Sequence, residues 1–152
     1  AGTSTIAYTN SSTIAKSFGG NGLTYNKLLI AGTTGVATYT ITGANTFAEI
    51  AATKTSAYTI VFPNVTTNIG KWNVSGTAGN LVTLSRTGAS GTFTLNYTGT
   101  GVVSADYLSI SNSTATPSST WYAGANSTNG GGNTGWIFSA APSANGNFFM
   151  FF

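Results

Sequence analysis

One apolar pattern recurs at a fixed step: Tyr25-x-x-Leu28-x-Ile30, Phe47-x-x-Ile50-x-Ala52 and Ile69-x-x-Trp72-x-Val74, each copy 22 residues after the last. A unit this short holds two or three strands and too little apolar surface to fold alone, so its copies must cover one another. That is the size of one rung of a parallel β-helix. A fourth copy is read at Ala105-x-x-Leu108-x-Ile110, with the extra residues before it placed in a hairpin-like stretch from Arg86 to Gly101. The residue preceding the central anchor is Lys27, Glu49 and Lys71 in the three regular copies. Stacking is expected to bring these into one outward column at strand spacing, about 4.8 Å.

Local signals agree with an all-β chain. Glu, Lys, Gln and Leu are scarce, β-branched residues are common, and Gly or Asn interrupts every few positions. Alternating runs such as Thr38-Tyr39-Thr40-Ile41-Thr42 and Tyr58-Thr59-Ile60-Val61-Phe62 are bounded by turn formers. Such strands fit either a short parallel β-helix or an antiparallel β-sandwich, and the repeat favours the β-helix. The organisation expected is one solenoid domain over residues 1–139, with rungs near 25–30, 47–52, 69–74 and 105–110. Residues 111–139 form an aromatic-rich cap covering the last rung, and residues 140–152 form a linker and tail.

Polarity comes from hydroxyls and amides: Thr, Gly, Ser and Asn fill 80 of 152 positions, and charged residues only 5%. With 41% hydrophobic and 12% aromatic residues the chain carries enough apolar surface to fold. There is no His and no Cys, and the carboxylates are Glu49 and Asp106 alone, so most metal sites and nucleophile–base pairs have no residues to form them. No catalytic residue, metal site or cofactor is assigned. Glu49 and Asp106 fall at different repeat positions, one reading as a ladder charge and the other as a turn residue. Five scattered cations do not make a phosphate-neutralising face, so no nucleic-acid partner is expected. No apolar run approaches the roughly 20 residues of a spanning helix. The chain opens at Ala1 without a charged and apolar leader pattern, and is expected to be a processed product or part of a longer protein.

Two groups of residues stand out as candidate sites. Trp121, Tyr122 and Trp136 flank a Gly/Asn-rich loop containing Asn126, and rings beside amides suit the faces and hydroxyls of a glycan; the alternative is that these rings are cap packing. Phe148, Phe149, Met150, Phe151 and Phe152 make a terminal apolar run that water does not tolerate. This run is expected to anchor the chain to a neighbouring subunit or to fold back on its own domain. Thr38-x-Thr40-x-Thr42 and Thr92-x-Thr94 suggest a flat ice-binding face, but they do not recur at the 22-residue step, and β-propensity accounts for them.

Three segments carry a family resemblance: Trp72-Asn73-Val74-Ser75-Gly76-Thr77-Ala78-Gly79-Asn80-Leu81-Val82-Thr83-Leu84; Asp106-Tyr107-Leu108-Ser109-Ile110-Ser111-Asn112-Ser113; and Trp121-Tyr122-Ala123-Gly124-Ala125-Asn126-Ser127 through Asn133-Thr134-Gly135-Trp136-Ile137-Phe138. They resemble the carboxy-terminal regions of large β-helical proteins of bacteriophages, marine ones especially, and of related bacterial surface proteins. The resemblance implies a right-handed parallel β-helix and a non-enzymatic virion structural protein, a fibre, spike or capsid-decorating subunit on the particle surface. The implied partners are further copies, other virion or surface proteins, and host-surface glycans. The alternative is an extracellular bacterial adhesin or surface-filament subunit.

Overall fold

The computed structural model describes residues 2–9, 13–32, 35 and 37–143. The chain winds as a right-handed parallel β-solenoid of about five turns, and no helix occurs among the described residues. Among the described residues sixteen strands, β1–β16 in chain order, fall into three sheets. The first sheet contains β1 (Thr5–Tyr8), β3 (Thr24–Ile30), β5 (Thr46–Ala52), β7 (Thr66–Ile69), β10 (Phe93–Tyr97) and β13 (Ser113–Thr116) in that spatial order, with β8 (Trp72–Asn73) beside the second half of β5. The second contains β2 (Lys16–Gly19), β4 (Thr38–Thr42), β6 (Tyr58–Phe62), β9 (Val82–Arg86), β12 (Leu108–Ile110) and β15 (Thr128–Asn129). A smaller third sheet, present only in the last rungs, contains β11 (Val103–Ser104), β14 (Trp121–Tyr122) and β16 (Trp136–Ile137).

The expected columns form. Tyr25 pairs with Phe47 and Phe47 with Ile69, while Leu28 pairs with Ile50 and Ile50 with Trp72, all in parallel register. Leu28, Phe47, Ile50, Ile69 and Trp72 are buried; the two anchors of each copy are three residues apart, so the strict alternation of a strand is interrupted between them. Opposite them the second sheet contributes Tyr39, Ile60, Leu84 and Ile110, stacked in register. Each fully buried apolar side chain stabilises the rung by about 1.5–3 kcal/mol relative to leaving it exposed. The rings join along the axis: Tyr25 stacks on Phe47, Phe62 on Phe93, and Trp72 meets Trp121 edge-on.

Two sequence expectations need correction. Leu108–Ile110 is not a fourth member of the Leu28 column; it pairs with β9 in the second sheet. The stretch from Arg86 to Gly101 is not a hairpin either, because its strand β10 lies parallel between β7 and β13. The cause is the same in both cases. A short apolar-x-apolar pattern suits the inward face of either sheet, and rung length grows here, so a fixed 22-residue step carried past Val74 lands on the wrong face. The segment assigned as a cap supplies β13–β16, which continue the sheets while Trp121 fills the core and Trp136 and Phe138 pack against it.

Corners are fixed by asparagine amides. Asn45 is fully buried where β4 turns into β5; its Nδ2 donates to the carbonyls of Thr42 (2.9 Å) and Gly43 (3.1 Å), and its Oδ1 accepts from the Gly22 N–H at 3.1 Å. Near the other end, Asn133 Nδ2 donates to the Ile110 carbonyl at 2.8 Å and its Oδ1 accepts from the Ser113 N–H at 3.1 Å. Each amide adds side-chain bonds to turn groups, alongside the backbone N–H groups of Gly20, Asn45 and Gly130 that reach the same carbonyls.

Candidate functional site

The ring cluster near the carboxy-terminal rungs is held from inside. Trp121 is 0% exposed. Its ring lies 5.7 Å from Trp72, 6.1 Å from Tyr97 and 5.0 Å from Trp136, all edge-on, and its Nε1 donates to the Thr116 carbonyl at 2.8 Å. A ring with both faces covered cannot stack on a sugar, so Trp121 is a core residue, the cap-packing alternative. Trp136 is half-buried over it, with Nε1 donating to Ser113 Oγ at 2.9 Å. Tyr122, the next residue along β14, is half-buried with its side chain on the opposite face from Trp121, as strand alternation dictates.

Asn126 is exposed but already engaged. Its Nδ2 donates to Asp106 Oδ2 at 2.7 Å, and its backbone N–H donates to Asp106 Oδ1 at 3.0 Å, an oxygen that also accepts from the Tyr107 N–H. Burial pushes the Asp106 carboxyl up, but the Asn126 side-chain and backbone bonds and the Tyr107 bond outweigh it and hold the group below the usual aspartate range. Gly124 passes close by with φ +91°, and a Cβ there would collide with the Asp106 carboxylate. Asp106 thus joins adjacent rungs.

Glu49 has a similar role in the first sheet. The charge column forms as expected: Lys27 Nζ lies 3.1 Å from Glu49 Oε2 and Lys71 Nζ 4.0 Å from Oε1, and Asn73 Nδ2 donates to Oε1. Burial raises the Glu49 carboxyl, but the Lys27 and Asn73 hydrogen bonds and the two lysine charges bring it below the ordinary glutamate value. Glu49 lies on β5 and Asp106 on the turn between β11 and β12, each tied to its own partners. The tail assigned as an anchor, Phe148, Phe149, Met150, Phe151 and Phe152, lies outside the described residues.

The outer faces of the two large sheets differ in a way the sequence reading missed. On the first, Thr46, Asn68, Asn96 and Thr116 stand in one register column and bond to one another: Thr116 Oγ1 donates to Asn96 Oδ1 (2.9 Å), Asn96 Nδ2 to Asn68 Oδ1 (2.8 Å), and Asn68 Nδ2 to Thr46 Oγ1 (3.3 Å). On the second, Thr38, Thr59, Thr83, Ser109 and Thr128 form one outward rank. Thr40, Val61 and Ser85 form a second rank beside it. All eight are at least partly exposed. Successive steps from β2 to β15 are 23, 21, 24, 26 and 19 residues, so a search at one period does not find these ranks. Register, read strand by strand, would have found them. No protein-family model, curated protein or solved structure matches this chain.

Proposed function

We propose that the chain is a non-enzymatic structural module of a surface-exposed assembly, a virion appendage such as a fibre or spike, or a capsid-decorating subunit. The observation that carries this reading is the amino-terminal end of the stack. Here β1 and β2 are the outermost strands of their sheets among the described residues, with Ile6, Tyr8 and Phe18 only partly covered. A parallel sheet edge with apolar side chains beneath it is a template for another rung, and the proposal assigns that rung to strand addition from a neighbour. Support also comes from chemistry: both carboxylates have a structural part, Glu49 in the charge column and Asp106 in the bond to Asn126. The proposed partners are further copies and other virion or surface proteins, with Phe148–Phe152 as a second element of attachment. Among the earlier candidates for a glycan, Tyr122 and Trp136 keep partial exposure.

Immunogold labelling of the producing culture tests this reading. Label on purified particles supports it. Label on cell envelopes or extracellular filaments supports the other surface role, an adhesin or filament subunit. Label confined to the cell interior, on neither particle nor surface, overturns both.

A further inference from the structure

We infer that the outer face of the second sheet is an ice-binding surface, with the rank Thr38, Thr59, Thr83, Ser109 and Thr128 as its centre. This inference stands apart from the virion reading, because it rests on the register of one sheet.

Parallel pairing places successive hydroxyls of the rank one strand step apart, about 4.8 Å. In a tetrahedral network of water, two hydrogen bonds of about 2.8 Å meeting at one oxygen separate their outer oxygens by about 4.6 Å. Neighbouring hydroxyls of the rank are thus set for a single water to bridge them, and five in line repeat that bridge along the solenoid axis. The second rank, Thr40, Val61 and Ser85, stands two residues further along each strand, about 6.6 Å away, and extends the array in the other direction.

Availability comes next. On the first sheet the equivalent side chains donate to one another from Thr116 to Thr46, and the neighbouring column carries Lys27 and Glu49. On the second sheet the hydroxyls of the central rank have no protein partner among the described residues. They are at least partly exposed, and the backbone at Thr59, Thr83 and Ser109 is held by a parallel ladder on both sides.

Chemistry then selects the occupant. No charged side chain stands at the outward positions of this face among the described residues, so nothing on it binds the disordered hydration shell an ion holds. Nor does an aromatic ring stand there, since Phe18, Tyr39, Tyr58 and Phe62 all lie in the inward columns. A sugar polymer would be met by such rings. What remains is hydroxyl and methyl at a regular spacing, with Val61 supplying methyls alone at one site. Methyl groups order adjacent water and hydroxyls anchor it, a combination that matches an ordered water lattice.

The test uses the whole chain and ice itself. A single ice crystal is held in a concentrated solution of the protein, and the gap between its melting and growth temperatures and its shape are recorded. The wild type is expected to open a gap and facet the crystal. Thr83→Lys, which puts a bulky cation at the centre of the rank, is expected to abolish both, while Thr94→Lys on the outer face of the first sheet leaves them intact. Circular dichroism confirms that each variant keeps its β spectrum; should Thr83→Lys fail to fold, Thr83→Tyr blocks the same position. Absence of any gap or faceting with the wild type overturns the inference, as does equal loss in Thr83→Lys and Thr94→Lys. Retention of the protein on crystalline cellulose without any effect on ice also overturns it, assigning the face to polysaccharide.

Discussion

Truncating Trp121 to alanine separates a core ring from a ligand-binding ring. The side chain is fully buried, touches Trp72, Tyr97 and Trp136, and satisfies the Thr116 carbonyl. Removing a buried tryptophan costs about 3–5 kcal/mol. The Thr116 carbonyl, left without its donor at the half-buried end of β13, adds about 1 kcal/mol. A total near 4–6 kcal/mol is a large part of the 5–15 kcal/mol that holds an ordinary domain together, so the variant should be marginal at room temperature. Tyr122→Ala, on the adjacent half-buried position, should cost about 1 kcal/mol or less. Urea unfolding followed by far-ultraviolet circular dichroism measures both. If Trp121→Ala costs less than about 1 kcal/mol, the ring is not in the core, and the reasoning that removed it from the glycan-facing set fails.

Other outcomes follow from the ladders and ends. Because the folded Glu49 carboxyl lies below its ordinary value, its contribution is complete above about pH 4.3 and is lost as pH falls through the lowered folded value. Glu49→Gln should therefore flatten the acid limb of a stability–pH curve while costing about 1 kcal/mol or less at neutral pH, as partly exposed pairs do. Asn96→Ala removes one bond donated to Asn68 and one accepted from Thr116, and should cost about 1–2 kcal/mol, read as a drop of several degrees in Tm. Deleting Phe148–Phe152 should release a folded monomer from any oligomer, seen by light scattering with an unchanged β spectrum; loss of that spectrum would place the tail in its own domain's core.

How much the sequence discloses depends on rung length. From β3 to β8 every step in the first sheet is 22 residues, so its apolar columns and the Lys27–Glu49–Lys71 column are legible by counting. Beyond Val74 the coils lengthen and shorten; Thr66 meets Thr94, and Phe93 meets Ser113. Periodicity then fails although the side-chain alternation persists, so counting places Leu108–Ile110 in the first sheet while its register is with β9 in the second. The hydroxyl ranks were hidden for the same reason: Thr is common in any strand, and only register distinguishes a rank from a composition. Trp121 posed a different difficulty, since a large ring next to Gly/Asn-rich chain fits a cap and a ligand platform equally, and burial alone decides.

The register of the second sheet can be tested covalently, because the chain has no cysteine to interfere. Thr59 and Thr83 are direct partners on adjacent strands, whereas Thr59 and Ser109 are two strands apart. A disulfide requires Cα atoms about 4.4–6.8 Å apart, which one strand step of about 4.8 Å meets and two steps do not. Parallel stacking therefore predicts that Thr59→Cys with Thr83→Cys closes a bond under mild oxidation, detected as loss of free thiol in the intact monomer, while Thr59→Cys with Ser109→Cys stays reduced. Closure of the second pair in preference to the first, or of neither, would contradict the solenoid register from which the core, the charge column and the hydroxyl face all follow.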